Sequence, residues 1–222
     1  MMQTYNKIET VFNRDTEGTK RLIFDSYRNE TVEYLKDNIW QFTEKIDGTN
    51  IRIHWDGHNV EFGGRTDRAQ IPNHLLNKLK ELFGTLEVEE LFEQTFGEKD
   101  VILFGEGYGV KIQNGGEYRS DVSFILFDVM INGNYQSREW VEQTAKMFGI
   151  DVVPIVLEGT IQDGIDYVMS HPHSTIGNAM MEGVVGRPKV EMNDRCGNRV
   201  IVKIKWEDFR HFVKEDQVNK WV

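Results

Sequence analysis

Charged side chains interrupt several apolar, strand-like runs of the sequence, and their types are those of a phosphate-transfer site. A charge inside a sheet costs several kcal/mol unless it is paired or used. Carboxylates and lysines gathered on one sheet face would bind a metal-bound phosphate. The charged residues are Lys45 and Asp47 in EKIDGTN, Glu106 in VILFGE, Asp128 in FILFDVM, Glu182 in EGVVGRP, and Lys203 and Lys205 in VKIKW.

The two lysines of VKIKW alternate with apolar residues. Lys203 and Lys205 are separated by Ile204 and flanked by Val202 and Trp206. Because successive side chains of a strand point to opposite faces, this spacing predicts both lysines on one face and the apolar residues on the other.

Strand signals dominate the elements that must position these residues. An Asp56-Gly57 pair between two alternating runs predicts a hairpin, and Asn132-Gly133 predicts a turn after a central strand. The predicted strands are IWQFTEKI (39–46), NIRIHW (50–55), HNVEF (58–62), VILFGE (101–106), SFILFDVMI (123–131), EGVVGRP (182–188) and RVIVKIKW (199–206).

Helical periodicity appears at 73–94, at 137–149 after the N-cap candidate Ser137, and at 160–170, and a last helix is expected over 206–217. The pattern predicts an α+β protein with antiparallel sheets and helices on the outside. No repeat or Pro, Gly or Ser-rich linker divides the chain, so we expect one domain over residues 1–222.

Composition favours an intracellular globular protein. The chain has 222 residues, 28% of them charged, and a single cysteine, Cys196, which has no internal disulfide partner. No apolar run is long enough to span a membrane and no signal peptide is evident, so we expect no membrane association and a cytoplasmic location. The net charge of -10 argues against a polyanion as partner, but residues 187–222 carry +3, which leaves room for a local basic groove.

The ordered motifs resemble those of covalent nucleotidyltransferases, which include ligases and messenger RNA capping enzymes. Lys45-x-Asp47-Gly48 is similar to their nucleophile motif. A KxDG sequence alone is a weak signal, but here further motifs follow in the family's order. They are GGRT (63–66), FGEG (104–107), FILFDV (124–129), EGVVGRP (182–188) and VKIKW (202–206).

The chain is most similar to the RNA ligase 2 family of nick-sealing phage-type enzymes, through EKIDGTN, GEGYGVKIQNGGEY (105–118) and the opening YNKIETVF (5–12). The resemblance implies a nucleotidyltransferase domain with an ATP-grasp-like ligase core. It also implies an ATP-dependent RNA ligase that joins a 3'-hydroxyl to a 5'-phosphate through lysyl-AMP and RNA-adenylate. Phage enzymes of this type act in the cytoplasm of the host.

The resemblance also implies roles for individual residues. Lys45 would attack the α-phosphate of ATP, helped by cations that favour a neutral amine, and Lys203 and Lys205 would hold that phosphate. Mg²⁺, or Mn²⁺, would be bound by Asp47, Glu106 and Glu182, largely through water. The expected nucleotide contacts are Phe127 stacking on adenine, Asn50 and Arg65 on phosphates, Glu106 on the ribose, Glu182 beside the nucleotide and Glu44 on the adenine edge.

One departure from the family leaves alternatives open. Only 17 residues follow Lys205, too few for the OB-fold domain of DNA ligases and capping enzymes, so we expect no OB domain. The expected partners are RNA ends or nicked duplex RNA, with a helper protein or end-healing enzyme to supply missing RNA contacts. The alternatives are a minimal DNA ligase, a capping-type guanylyltransferase, or a non-catalytic nucleotide or RNA-binding module.

Overall fold

The computed structural model describes residues 2–210. Its helices are α1 (Glu30–Leu35), α2 (Asn73–Phe83), α3 (Leu86–Phe96), α4 (Arg138–Phe148) and α5 (Ile161–Met169). Its strands are β1 (Glu9–Thr10), β2 (Phe12–Arg14), β3 (Leu22–Tyr27), β4 (Trp40–Glu44), β5 (Thr49–Trp55), β6 (Val60–Gly64), β7 (Val101–Gly109), β8 (Val122–Ile131), β9 (Asn134–Tyr135), β10 (Asp151–Val152), β11 (Ile155–Gly159), β12 (Gly183–Pro188) and β13 (Val202–Lys205).

The helix predicted over 73–94 is divided into two. Gly84 ends α2, and Thr85 adopts an extended backbone (φ -99°, ψ 153°) before α3 begins. Glycine and threonine are poor helix formers, which explains a break that apolar periodicity alone did not reveal. Of the helix predicted over 206–217, residues 206–210 are helical and the rest lies outside the described residues.

The chain divides into two compact units. The first unit comprises Met1–Asn6 and Asp47–Val153, and the second comprises Lys7–Ile46 and Pro154–Val222. One boundary falls after Ile46, inside the EKIDGTN motif. The single domain over 1–222 therefore stays a prediction.

The second unit is built on a five-stranded sheet in the order β1-β13-β12-β4-β11, with the β2–β3 hairpin as a separate ribbon. Trp40 and Phe42 point from β4 into an apolar core that includes Ile161 and Ile165 of α5. Because α5 packs against this side of the sheet, the alternate residues of β4 and β13 lie on the opposite side. The apolar pattern of the strands therefore decides which face is left for charged residues.

The first unit is built on a six-stranded sheet in which β10, β8, β7, β5 and β6 are neighbours in that order and β9 pairs with β8. Its core joins Ile51 and Leu103 of the sheet to Leu75 of α2 and Val141 of α4. Asn50 and Glu106 alternate with these core positions and face the other side.

The predicted α+β class is confirmed. The strand pairs are antiparallel except at two sheet edges, where β1 pairs with β13 and β10 with β8 in parallel. Within residues 2–210 the sheets form no OB barrel, and no helix has the length and apolar character that a bilayer span requires.

Candidate functional site

Three charged residues of the second unit form a compact cluster. The Lys45 Nζ donates to Glu182 Oε2 at 2.6 Å, and the Lys205 Nζ lies 3.0 Å from Glu182 Oε1. One carboxylate therefore bridges two ammonium groups. All three side chains remain partly exposed, at 27% for each lysine and 19% for Glu182, so a ligand can reach them.

Backbone pairing holds this cluster in place. The Lys45 N–H donates to Gly183 O at 2.9 Å, and the Trp206 N–H donates to Glu182 O at 2.9 Å. Gly183 has φ +156°, and a Cβ there would lie 2.1 Å from Ile204 O. Only glycine lets β12 approach β13 this closely, which explains the glycine that follows Glu182.

Lys203 lies on the same face as Lys205, while Val202 and Ile204 are buried in the core. The predicted alternation of VKIKW is therefore confirmed. Burial lowers the pKa of Lys203, and the nearby Lys45 and Lys205 lower it further. Burial also acts on Lys205, but its hydrogen bond to Glu182 outweighs that effect and raises its pKa.

Glu44 lies on the opposite face of β4 from Lys45, as strand alternation predicts. Its side chain is 1% exposed. The carboxylate accepts hydrogen bonds from Ser174 Oγ at 2.5 Å, Thr175 N at 2.9 Å and Thr175 Oγ1 at 2.6 Å. Glu44 thus anchors the segment between α5 and β12, and its contact with the adenine edge stays a prediction.

Asp47 and Gly48 of the EKIDGTN motif belong to the first unit, which resumes at Asp47. The Asp47 N–H donates to Tyr118 Oη at 3.4 Å, and Asn114 Nδ2 donates to Asp47 Oδ2 at 3.1 Å. A Cβ on Gly48 would lie 2.4 Å from Gly107 O. Glycine is needed here because the turn before β5 packs directly on the backbone of β7.

Asn50 and Glu106 are directly paired across β5 and β7. The Asn50 Oδ1 is buried, and no described residue donates a hydrogen bond to it. An unsatisfied buried acceptor is costly, and such groups concentrate at binding sites. This oxygen beside a carboxylate can accept a bond from a ligand or coordinate a cation.

A β-bulge displaces Phe127 from the regular pattern of β8. Phe104 pairs with Asp128 and Gly105 with Leu126, so Phe127 is the extra residue. Phe127 is partly exposed whereas Leu126 and Asp128 are fully buried. The bulge re-aims an aromatic ring that a regular strand would bury or turn to the opposite face.

Tyr5 explains the buried Asp128. Its Oη donates to Asp128 Oδ2 at 2.5 Å, and its ring packs edge-on against Phe127 with centroids 5.0 Å apart. Consecutive side chains of a regular strand point to opposite faces, so Phe127 and Asp128 could not both contact the Tyr5 side chain without the bulge. Asp128 thus orders the opening segment around Phe127.

Arg65 is exposed just after the end of β6, and its predicted phosphate contact stays a prediction. Sequence reasoning missed Arg52, which is 1% exposed. Arg52 donates to Gly64 O at 2.7 Å, to Met2 O at 2.8 Å and to Asp67 Oδ1 at 3.0 Å. It therefore fastens both sides of the GGRT segment that carries Arg65. Only its position in an alternating strand was visible in the sequence, which predicts a solvent-facing side chain.

The oxygen atoms of the first unit fit a hard cation. Asp47, Asn50 and Glu106 offer carboxylate and amide oxygens, and Asn50 Oδ1 has no described donor. These are the ligand types of Mg²⁺, which keeps much of its water shell and needs few protein ligands. Among residues 2–210, no group of three or more His, Cys, Asp and Glu side chains is placed to hold a metal by itself.

Three solved structures of RNA ligase from Naegleria gruberi are similar to the chain. A variant with ATP and Mn has a TM-score of 0.67 at 17% identity, over 96% of this chain and 58% of that one. An apo variant has a TM-score of 0.66 at 16% identity, over 96% of this chain and 57% of that one. A variant with AMP and Mn has a TM-score of 0.61 at 18% identity, over 83% of this chain and 54% of that one. At these identities the likeness shows a shared fold, and the chain spans less than three fifths of these three ligase chains.

Sequence comparison identifies the family. No curated protein sequence matches the chain. The family model described as RNA ligase matches residues 38–205, well over half of the chain, and this range runs from β4 through β13. It includes the nucleophile motif and the VKIKW lysines. The chain therefore belongs to the RNA ligase family.

Proposed function

We propose that the chain is an ATP-dependent RNA ligase that uses Lys45 as its nucleophile. The observation that carries the proposal is the Lys45–Glu182–Lys205 cluster, which lies within the range matched by the RNA ligase family. A lysine bridged to a second lysine through one carboxylate, on the open face of a sheet, is suited to a phosphate anion. A surface lysine without a catalytic role would not require a carboxylate and a second lysine beside it.

In the first step the neutral Lys45 Nζ attacks the α-phosphorus of ATP. A nitrogen–phosphorus bond forms, the bond to the bridging oxygen of the β-phosphate breaks, and pyrophosphate leaves with the electron pair. Before the attack, Lys45 must lose a proton and its contact with Glu182, since an ammonium has no lone pair. Glu182 lies 2.6 Å away, within reach of that proton.

Lys203 and Lys205 stabilise the negative charge that builds on the phosphate oxygens. Phe127, exposed by its bulge, stacks on adenine, and Asn50 and Glu106 bind the ribose and phosphates together with Arg65. Glu44 acts on the nucleotide through the segment it anchors or through the adenine edge. Asp47, Glu106 and Glu182 would hold Mg²⁺ or Mn²⁺ largely through the water ligands of the ion, which would neutralise phosphate charge.

In the later steps AMP passes from Lys45 to the 5'-phosphate of RNA, and an RNA 3'-hydroxyl then displaces AMP to form a phosphodiester. ATP, AMP and Mn in the Naegleria structures support the choice of nucleotide and metal. RNA ends or nicked duplex RNA as substrates, a helper protein and a cytoplasmic location belong to the same proposal.

Intact-mass measurement after incubation with ATP and Mg²⁺ tests the first step. We expect the wild-type chain to gain one AMP, in a bond that acid cleaves, and Lys45→Ala to gain none. Lys36→Ala is a matched control, because Lys36 lies in the same unit and outside the motifs. Full labelling of Lys45→Ala would remove Lys45 as nucleophile, and no labelling of the wild type would favour a non-catalytic binding module.

Nucleotide choice separates the remaining enzymes. Labelling by ATP but not by GTP excludes a capping guanylyltransferase. Joining of nicked RNA but not of nicked DNA by the adenylylated chain excludes a minimal DNA ligase.

A further inference from the structure

A basic groove of about 710 Å³ lies in the second unit, between the β2–β3 hairpin and the strands β1 and β13. Of the described residues, eight Lys or Arg and three Asp or Glu line it, a formal excess of +5 on a chain of net charge -10. Of these cations, only Lys203 and Lys205 belong to the sequence motifs. The other cations, among them Lys7, Lys20, Arg21 and Arg28, have no role in the adenylylation step derived above.

Several of these cations have no close carboxylate partner, although the Lys20 Nζ donates to Thr16 O. Within residues 2–210 neither Lys20, Arg21 nor Lys203 forms an ion pair with a carboxylate. Lys7 and Arg28 share Glu9 at 3.8 and 3.7 Å, long contacts between well-exposed side chains. Such pairs contribute little and are easily exchanged for a phosphate.

The hairpin loop that carries two of the cations is ordered by its own residues. Asp15 accepts hydrogen bonds from the backbone N–H groups of Glu17, Gly18 and Thr19 at 3.1, 2.9 and 2.7 Å. Arg14 donates to Lys20 O at 2.7 Å and pairs with Asp208 at 2.7 Å. The loop thus presents Lys20 and Arg21 on a fixed support, which lowers the entropy lost on binding.

The chemistry of the lining indicates the ligand. Cations and the threonines Thr10, Thr16 and Thr19 line the groove, and none of the described residues that line it is aromatic. The described lining offers bases no stacking surface, whereas its spaced cations and threonines suit successive phosphates and sugars. Its size exceeds what a single pyrophosphate needs.

We propose that this groove binds the ribose-phosphate backbone of an RNA strand irrespective of base sequence. The proposal rests on the proposed ligase function for its choice of RNA. It assigns RNA positioning to the β2–β3 hairpin, whereas the motif lysines act on the transferred phosphate.

Fluorescence anisotropy with a labelled single-stranded RNA that carries a 5'-hydroxyl tests the groove, because that probe cannot be adenylylated. We expect Lys20→Ala/Arg21→Ala to weaken binding about tenfold at low salt and to reduce the slope of log K against log salt by roughly 1 to 2. Lys80→Ala/Lys146→Ala removes the same charge from exposed positions of the first unit and should leave both quantities unchanged. Arg21→Lys keeps the charge and should retain most of the affinity.

Self-adenylylation by ATP, measured on the same variants, separates the two proposals. Normal adenylylation with weakened RNA binding in the groove variant supports the groove. Equal RNA binding by the groove variant and the control variant overturns it. Lost adenylylation with unchanged RNA binding also overturns it and assigns the groove to the phosphates of ATP. A wild-type chain that binds RNA through the groove but never gains AMP leaves the groove standing and removes the ligase function.

Discussion

At the scale of single residues, the positive charge of Lys203 destabilises the folded state. Its pKa is lowered because the side chain is partly buried and lies near Lys45 and Lys205. The folded state therefore binds this proton less strongly than the unfolded state does. Near neutral pH, where both states are protonated, Lys203 opposes folding, and the cost disappears as pH rises towards the ordinary lysine pKa.

We predict that Lys203→Met raises the melting temperature by about 1 to 2 °C at pH 7, a small gain because solvent screens the site. The gain should shrink near pH 10.5, where lysine loses its charge. Adenylylation should fall by about a hundredfold or more, since a phosphate-binding cation is lost. Thermal unfolding at the two pH values and intact-mass kinetics check this, and a lower melting temperature at pH 7 contradicts it.

At the scale of secondary structure, β8 carries two phenylalanines with different tasks. Phe124 is 1% exposed and packs edge-on against Phe83 of α2 with centroids 5.5 Å apart. Phe127 occupies the bulge and remains partly exposed. The same residue type therefore serves the core at one position and a binding surface three residues later.

We predict that Phe127→Ala raises the KM for ATP about tenfold through lost stacking, with a stability loss below about 1.5 kcal/mol. Phe124→Ala should instead cost about 3 to 5 kcal/mol in the free energy of unfolding, because it leaves a cavity. Urea unfolding and adenylylation at varied ATP concentration measure both effects. Equal stability losses in the two variants would show Phe127 to be a core residue.

The sequence predicted what depends on local periodicity and missed what depends on distant contacts. The alternation of Lys203 and Lys205 and the face of Glu44 follow from the period of a strand, and both are confirmed. The partner of Asp128 lies 123 residues away at Tyr5, and burial of Arg52 depends on the opening segment that covers it. The bulge at Phe127 depends on the register with β7, which no pattern within β8 reveals.

At the scale of the whole molecule, neither unit is a continuous stretch of chain. The polypeptide passes from one unit to the other after Asn6, Ile46 and Val153. A fragment that ends after Asn6 or Ile46 lacks strands of both sheets, and one that ends after Val153 lacks β11, β12 and β13 of the second unit. Discontinuous units of this kind are expected to fold together.

We predict that the chain unfolds in one cooperative transition, as expected of a single domain over 1–222. Differential scanning calorimetry should give a calorimetric enthalpy equal to the van't Hoff enthalpy. Two resolved transitions, or an enthalpy ratio well above one, would show that the units are independent domains. Tryptophan fluorescence provides a second probe, since Trp40 lies in the second unit and Trp55 in the first.

Because the Glu182 carboxylate already contacts Lys45 and Lys205, binding of a nucleotide phosphate to these lysines exchanges one anion for another. Both oxygens of Glu182 already contact lysine nitrogens in the folded chain. On the proposed function, an incoming phosphate takes over these contacts, so one anion replaces another and few dissolved counterions are released. RNA in the basic groove would meet Lys20, Arg21 and Lys203, which form no ion pair with a carboxylate of residues 2–210. Nucleotide affinity should therefore respond weakly to ionic strength and RNA affinity strongly, so that salt favours a chain charged with AMP but separated from its RNA.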